Sequence, residues 1–183
     1  LDPCLGTGGD FAAIQVFSLP DFKQVAEWQH NKTPIQGQVR VMHSILKEID
    51  QQLRANGTPN PEIYWTIENN TLGEAAIVTV DEMGEDKFPG YFLHEPRKGG
   101  QQRRVVRKGY NTTNKSKVTA CSKLKAWVET DKITLFSKPL IRELKVFVAK
   151  GNSFEAKSGE HDDLVSALLL VCLLYTSPSP RDK

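Results

Sequence analysis

Cysteine is scarce. Cys4, Cys121 and Cys172 are odd in number, lie far apart and form no CxxC pair, which fits a reducing compartment better than a disulfide framework and gives no zinc spacing. No GxxxxGK(S/T) loop occurs, so the chain carries no ATPase phosphate cradle. A GxSxG nucleophile elbow is also missing, and Cys4 and Cys121 lack any identifiable base. The longest apolar run, Leu164 to Leu174, has 11 residues, too few to span a bilayer. Residue 1 is Leu and no signal peptide is visible. Four histidines, His30, His43, His94 and His161, show no metal-ligand spacing, and His43 reads as a partly buried structural residue beside a helix stripe. Secreted, membrane-spanning and thiol- or serine-hydrolase classes are set aside on these grounds.

One charge is missing locally. From Arg97 to Lys125 the sequence holds ten Lys or Arg and no Asp or Glu; elsewhere 14 basic residues face 22 acidic ones, a net of −8. The overall charge of +2 therefore conceals a basic segment on an acidic body. Arg103, Arg104, Arg107, Lys108, Lys115 and Lys117, with Lys157 further on, are expected to grip nucleic-acid phosphates without reading bases. A solvated, Gly-rich mobile loop is the plainer reading of the same residues.

The 183 residues, 39% apolar and 25% charged, suit one globular domain. Phe11 to Leu19 and Val25 to Gln29 read as a hairpin, followed by a helix after Pro34 with Met42, Ile45, Leu46, Ile49 and Leu53 on one stripe. Glu62 to Ile67 reads as a buried strand ending at Glu68, Gly73 to Val80 as a short helix, and Tyr91 to His94 as a strand. A helix over 115–129, a strand over Ile133 to Phe136, a helix from Pro139 carrying Phe147, and a short arm over Ser153 to Ala156 come next. Glu160 or Asp162 then caps a last helix, apolar nearly all round and so buried. Strands alternating with helices make an α/β domain. Residues 1–174 are expected to form it, with 175–183 (YTSPSPRDK) a non-native or disordered tail.

The acids at element ends carry the chemistry. Glu68 stands at a strand edge, as Asp2 does if a strand leads into it, and Asp162 and Asp163 open a buried helix; such carboxylates are costly unless something positive lies between them. An N-cap accounts for one of the Asp162/Asp163 pair but not for Glu68 closing the apolar run Ile63 to Ile67. Mg²⁺ or Mn²⁺ takes oxygen ligands, and carboxylates from distant segments can hold two ions for in-line phosphodiester attack. Gly6-Thr7-Gly8-Gly9 reads as a tight turn between strands.

These segments resemble a family. Asp2 to Phe11 looks like the opening of the nuclease domain of tailed-phage terminase large subunits. Ile63 to Gly73 resembles its second acidic motif, a strand ending in Glu, and Gly109 to Lys117 its GxxTT…K segment. Leu140 to Val148 resembles its LIxELxxFV helix, and Gly159 to Val165 its G-x-HDDLV motif. The resemblance covers residues 1 to about 174 and implies a ribonuclease H-like α/β fold with a mixed central sheet flanked by helices. It implies Asp2, Glu68, Asp162 and Asp163 as metal ligands for Mg²⁺ or Mn²⁺, with Asp10 in support, and cutting of concatemeric viral double-stranded DNA during genome packaging. An N-terminal ATPase domain outside this chain, the portal and the small terminase subunit are the implied partners, at the procapsid portal in the host cytoplasm. The family's first strand is mostly missing ahead of Asp2, which bears on activity. A silent DNA-gripping module of the motor and another ribonuclease H-like enzyme, such as a junction resolvase, are the alternatives.

Overall fold

A computed structural model describes residues 1–95 and 107–175. Strands β1 (Ala12–Ser18) and β2 (Lys23–His30) form an antiparallel hairpin, followed by helix α1 (Ile35–Ala55), strand β3 (Tyr64–Trp65), helix α2 (Thr71–Met83) and strand β4 (Tyr91–Phe92). Helices α3 (Asn114–Glu129) and α4 (Lys138–Val146), hairpin strands β5 (Phe147–Lys150) and β6 (Ser153–Ala156), and helix α5 (Asp163–Leu174) complete the order.

Single bridges join the short strands into a mixed sheet. Asp2 and Ala13 exchange both backbone hydrogen bonds at 2.9 Å. Leu1 N donates to Thr66 O and Glu68 N to Leu1 O, both at 2.9 Å, the slanted pattern of a parallel pair. β3 pairs β4 in parallel, and Glu68 bridges Tyr110 in the same sense. The order across the sheet is thus β2, β1, Leu1–Asp2, the β3 segment, then β4 with Tyr110.

Side-chain alternation divides this sheet between two cores. Leu1, Ile14, Ile63, Trp65 and Ile67 face α1 and α2, meeting Val39, Met42, Ile77 and Val80. Ala13 and Tyr110 face the other way, toward Leu124 and Trp127 of α3, Leu140 of α4 and the apolar α5. Burial of α5 on nearly every side follows from its sequence, because eight of its residues are buried. The helix starts are specified locally: Thr113 and Ser116 form a capping box on α3, and Ser137 caps α4 ahead of Pro139.

Two expected elements differ. Ile133 to Phe136 is not a strand; it makes one parallel bridge, Thr134 to Lys23, at the edge of β2. Phe147 does not extend α4 but opens β5, because the run Val146-Phe147-Val148 finds a pairing partner in β6 across the two-residue turn at Gly151, φ +56°. The end of the sequence, 176–183, lies outside the described residues.

Candidate active site

The alternation that turns Leu1 and Ile67 toward α1 and α2 turns Asp2 and Glu68 to the opposite face, where α5 begins. Asp2 is 9% exposed and Glu68 half-buried. Asn70 holds the end of the second strand in two ways. Its Oδ1 caps α2 by accepting from Leu72 N (3.1 Å) and Gly73 N (3.0 Å), and its Nδ2 donates to Glu68 Oε2 at 3.2 Å. On the first side, Gln38 of α1 is fully buried and bonds Cys4 N, Cys4 O and Thr33 O. That fixes the chain just after Asp2, before the Gly-rich turn. Asp2, Asp10, Glu68, Asp162 and Asp163 all line one cleft of about 440 Å³.

The cleft is electrostatically unbalanced. Burial holds the Asp2 carboxyl well above the ordinary carboxylate range; the neighbouring Glu68 charge and hydrogen bond push the same way, against the pull of the Leu1 ammonium. Burial also raises Asp163, opposed by the Phe11 backbone and His161, with Asp10 and Asp162 adding repulsion. Asp163 Oδ2 is buried with no hydrogen-bond donor, His161 Nδ1 lying 3.5 Å away. An orphaned carboxylate oxygen in an all-oxygen donor set suits a hard divalent cation. Among the described residues no three of these groups are gathered tightly enough to hold an ion as they stand.

A pH dependence follows. With its folded value raised, Asp2 contributes stability to the metal-free protein that is fully present below 3.8 and is lost as pH rises through the raised value. Asp2→Asn should therefore melt progressively higher than wild type, measured in EDTA, as pH is taken from 3.8 toward neutrality. A constant difference across that window would show that Asp2 is not perturbed.

Two acidic strand ends face the acidic start of a buried helix, and a family model matches residues 1–173, that of the terminase RNaseH-like domain. The chain belongs to this family. A solved relative in fold is the large terminase nuclease from thermophilic phage G20c, a crystal structure with bound magnesium; it is 16% identical, with a TM-score of 0.62 over 90% of this chain and 74% of that one. At that identity the likeness speaks for the fold. The expected ribonuclease H-like α/β architecture is the one this terminase domain adopts.

The expected DNA-contacting cations are dispersed. Arg103 and Arg104 lie outside the described residues. Arg107 pairs with Glu74 of α2 at 3.0 Å, and Lys108 with Asp81 of α2 (2.5 Å) and Glu85 in the turn just after it (2.7 Å), so both are engaged with this region. Lys115 and Lys157 are exposed. Lys117 differs from these: one turn into α3, its Nζ lies 3.8 Å from Asp162 Oδ2 and over the Phe147 ring, which makes it a counter-charge for the acidic pair.

Three residues beside the candidate site, His161, Asn70 and Glu143, lie within the motif-like segments without a role expected from sequence. His161 was grouped with scattered histidines, yet it lines the cleft and packs edge-on against Phe11; its place beside the Asp pair was the available signal. Asn70 lies within the segment that resembles the second acidic motif, and an Asn three residues ahead of Gly73 at a helix start is also a capping signal. Glu143 is the acid of the LIxELxxFV-like segment, but its role does not follow from sequence, because its partners lie in other elements. The N-cap reading of the Asp pair also fails in its side-chain part. Asp162 occupies the N-cap position without a capping bond, its Oδ2 accepting from Ala156 N at 3.2 Å instead.

Proposed function

We propose that this chain is a divalent-metal-dependent endonuclease that cuts concatemeric viral double-stranded DNA during genome packaging, as the nuclease part of a terminase large subunit. The observation that carries this reading is the convergence of Asp2, Glu68, Asp162 and Asp163 in one cleft, with Asp10 at its rim and an orphaned oxygen on Asp163. Mg²⁺ or Mn²⁺, as two ions, would supply Lewis-acid activation of the phosphodiester and of the attacking water. The chain's own residues do the remaining work. Asp2 and Glu68 present carboxylate oxygens from adjacent strand positions, and Asn70 orients the Glu68 carboxylate. Asp162 and Asp163 close the set from α5. Lys115, Lys157 and the basic residues around Arg103, Arg104, Arg107 and Lys108 attract the phosphate backbone in a sequence-independent way. The N-terminal ATPase domain, the portal and the small terminase subunit complete the motor in this proposal, at the procapsid portal in the host cytoplasm. Among the described residues no helix is long and apolar enough to cross a membrane.

The purified chain should nick and linearise plasmid DNA in Mn²⁺, stop in EDTA and resume on Mn²⁺ addition. Salt-sensitive DNA binding without any cutting would point instead to a gripping module. Strong preference for four-way junctions over linear duplex would point to a resolvase.

A further inference from the structure

Helix α5 begins with two aspartates, yet neither satisfies its opening N–H groups. The first turn of a helix leaves donors that need partners, and a helix starting in Asp ordinarily uses that side chain as the acceptor. Here the acceptor comes from another helix. Glu143 of α4, 9% exposed, accepts through Oε2 from Leu164 N at 2.8 Å and Val165 N at 3.2 Å. Those are the second and third residues of α5, the pair of donors an N-cap side chain serves. An anionic acceptor at a helix N-terminus is also favoured by the helix dipole and makes charge-assisted hydrogen bonds.

Glu143 has a second tie. Gln29 Nε2 of β2 donates to its Oε1 at 3.0 Å, Gln29 stands opposite Ala13 in the hairpin, and Ala13 is the backbone partner of Asp2. The Ala13–Asp2 backbone bonds and the cross-strand pairing of Gln29 with Ala13 therefore place the Glu143 cap of α5 against the hairpin that holds Asp2. Both walls of the acidic cleft are referenced to each other through this carboxylate.

We propose that Glu143 is a positioning residue for the acidic site: by capping α5 from outside, it leaves Asp162 and Asp163 uncommitted to the helix and fixes them relative to Asp2. This rests on the reading of the cleft as a metal site. Without Glu143, the open N–H groups of Leu164 and Val165 recruit Asp162 as the local cap, turning it away from the cleft. Glu143→Gln retains a carbonyl acceptor at the same reach and should largely preserve the arrangement.

Calorimetric titration with Mn²⁺ on the full chain, with a thermal melt of each variant, tests this apart from catalysis. Glu143→Ala should bind Mn²⁺ at least tenfold more weakly than wild type under conditions where the melt shows it folded, and Glu143→Gln should stay within threefold. A lowered melting temperature with unchanged Mn²⁺ affinity in Glu143→Ala would reduce Glu143 to a stability role and overturn the proposal. Should Glu143→Ala not fold, Gln29→Ala keeps both bonds to α5 and removes only the tie to the sheet. A threefold or greater loss of Mn²⁺ affinity supports the proposal there, and unchanged affinity overturns it. A wild-type chain that binds no Mn²⁺ brings down the metal-site reading together with this inference; binding that is equal in wild type and variants brings down this inference alone.

Discussion

Glu68→Ala should lower Mn²⁺-dependent cleavage of plasmid DNA by at least about a hundredfold, since even residues behind a metal's direct ligands are worth roughly 10- to 100-fold. The fold should survive. Glu68 is half-buried, its carboxylate accepts from Asn70, and its charge and hydrogen bond push up the carboxyl of its buried neighbour Asp2. Removing it relieves a like-charge contact, so the metal-free melting temperature at neutral pH should hold or rise while cutting disappears. Glu68→Gln separates charge from packing: the amide oxygen can still accept from Asn70, yet it offers a neutral, weaker donor to a cation. Both variants should therefore be folded and inactive in a gel assay of supercoiled plasmid. Cutting by Glu68→Ala at the wild-type rate would remove Glu68 from the site, and with it the strand-end geometry on which the nuclease reading stands.

Lys117 and Glu143 show where sequence reasoning stops. The acids were readable because each breaks a local rule: Glu68 ends an apolar strand, and Asp162 and Asp163 open a helix that is otherwise apolar. Strand alternation then dictates that Asp2 and Glu68 share a face once Leu1 and Ile67 are buried on the other. The partners of those acids fall in a basic run and a motif-like helix, but their pairing with the acids is not readable in sequence. Lys117 belongs in sequence to the basic run expected to hold phosphates, and only the packing of α3 near the start of α5 brings it to Asp162. Glu143 is the acid of the LIxELxxFV-like helix, but its task shows only when α4 is packed against α5 and its oxygen meets two open N–H groups. The overall α/β arrangement was available from periodicity, whereas the breaks in it were not. Phe147 fits a helical stripe equally well until β6 offers it a pairing partner.

Gly73→Ala should be among the more damaging single methyls at the described glycines. Gly73 lies in the first turn of α2, and a Cβ there would sit 1.8 Å from Glu68 O and 2.8 Å from Glu68 C. Both are backbone atoms of the residue that presents the second acid, so no side-chain rotation relieves the clash. Relief requires α2 to back away from the strand end, against the Asn70 cap that binds Leu72 N and Gly73 N. Replacing Gly by Ala in a helix ordinarily gains about 1 kcal/mol. Overpacking against fixed backbone costs about 3 kcal/mol, so the net sign is unfavourable. A loss of about 2 kcal/mol corresponds to a fall of roughly 4–8 °C in melting temperature for a domain of this size. Cleavage should fall further than stability predicts, because a shift of about 1 Å at a reacting group can cost about a hundredfold. Gly9→Ala is the matched control on stability: it lies in the Gly-rich turn, its added Cβ meets nothing within 4 Å, and its melt should follow wild type. If Gly73→Ala also melts with wild type, α2 does not press on Glu68. The short Asn70 segment would then not be what fixes the second acid at the strand end.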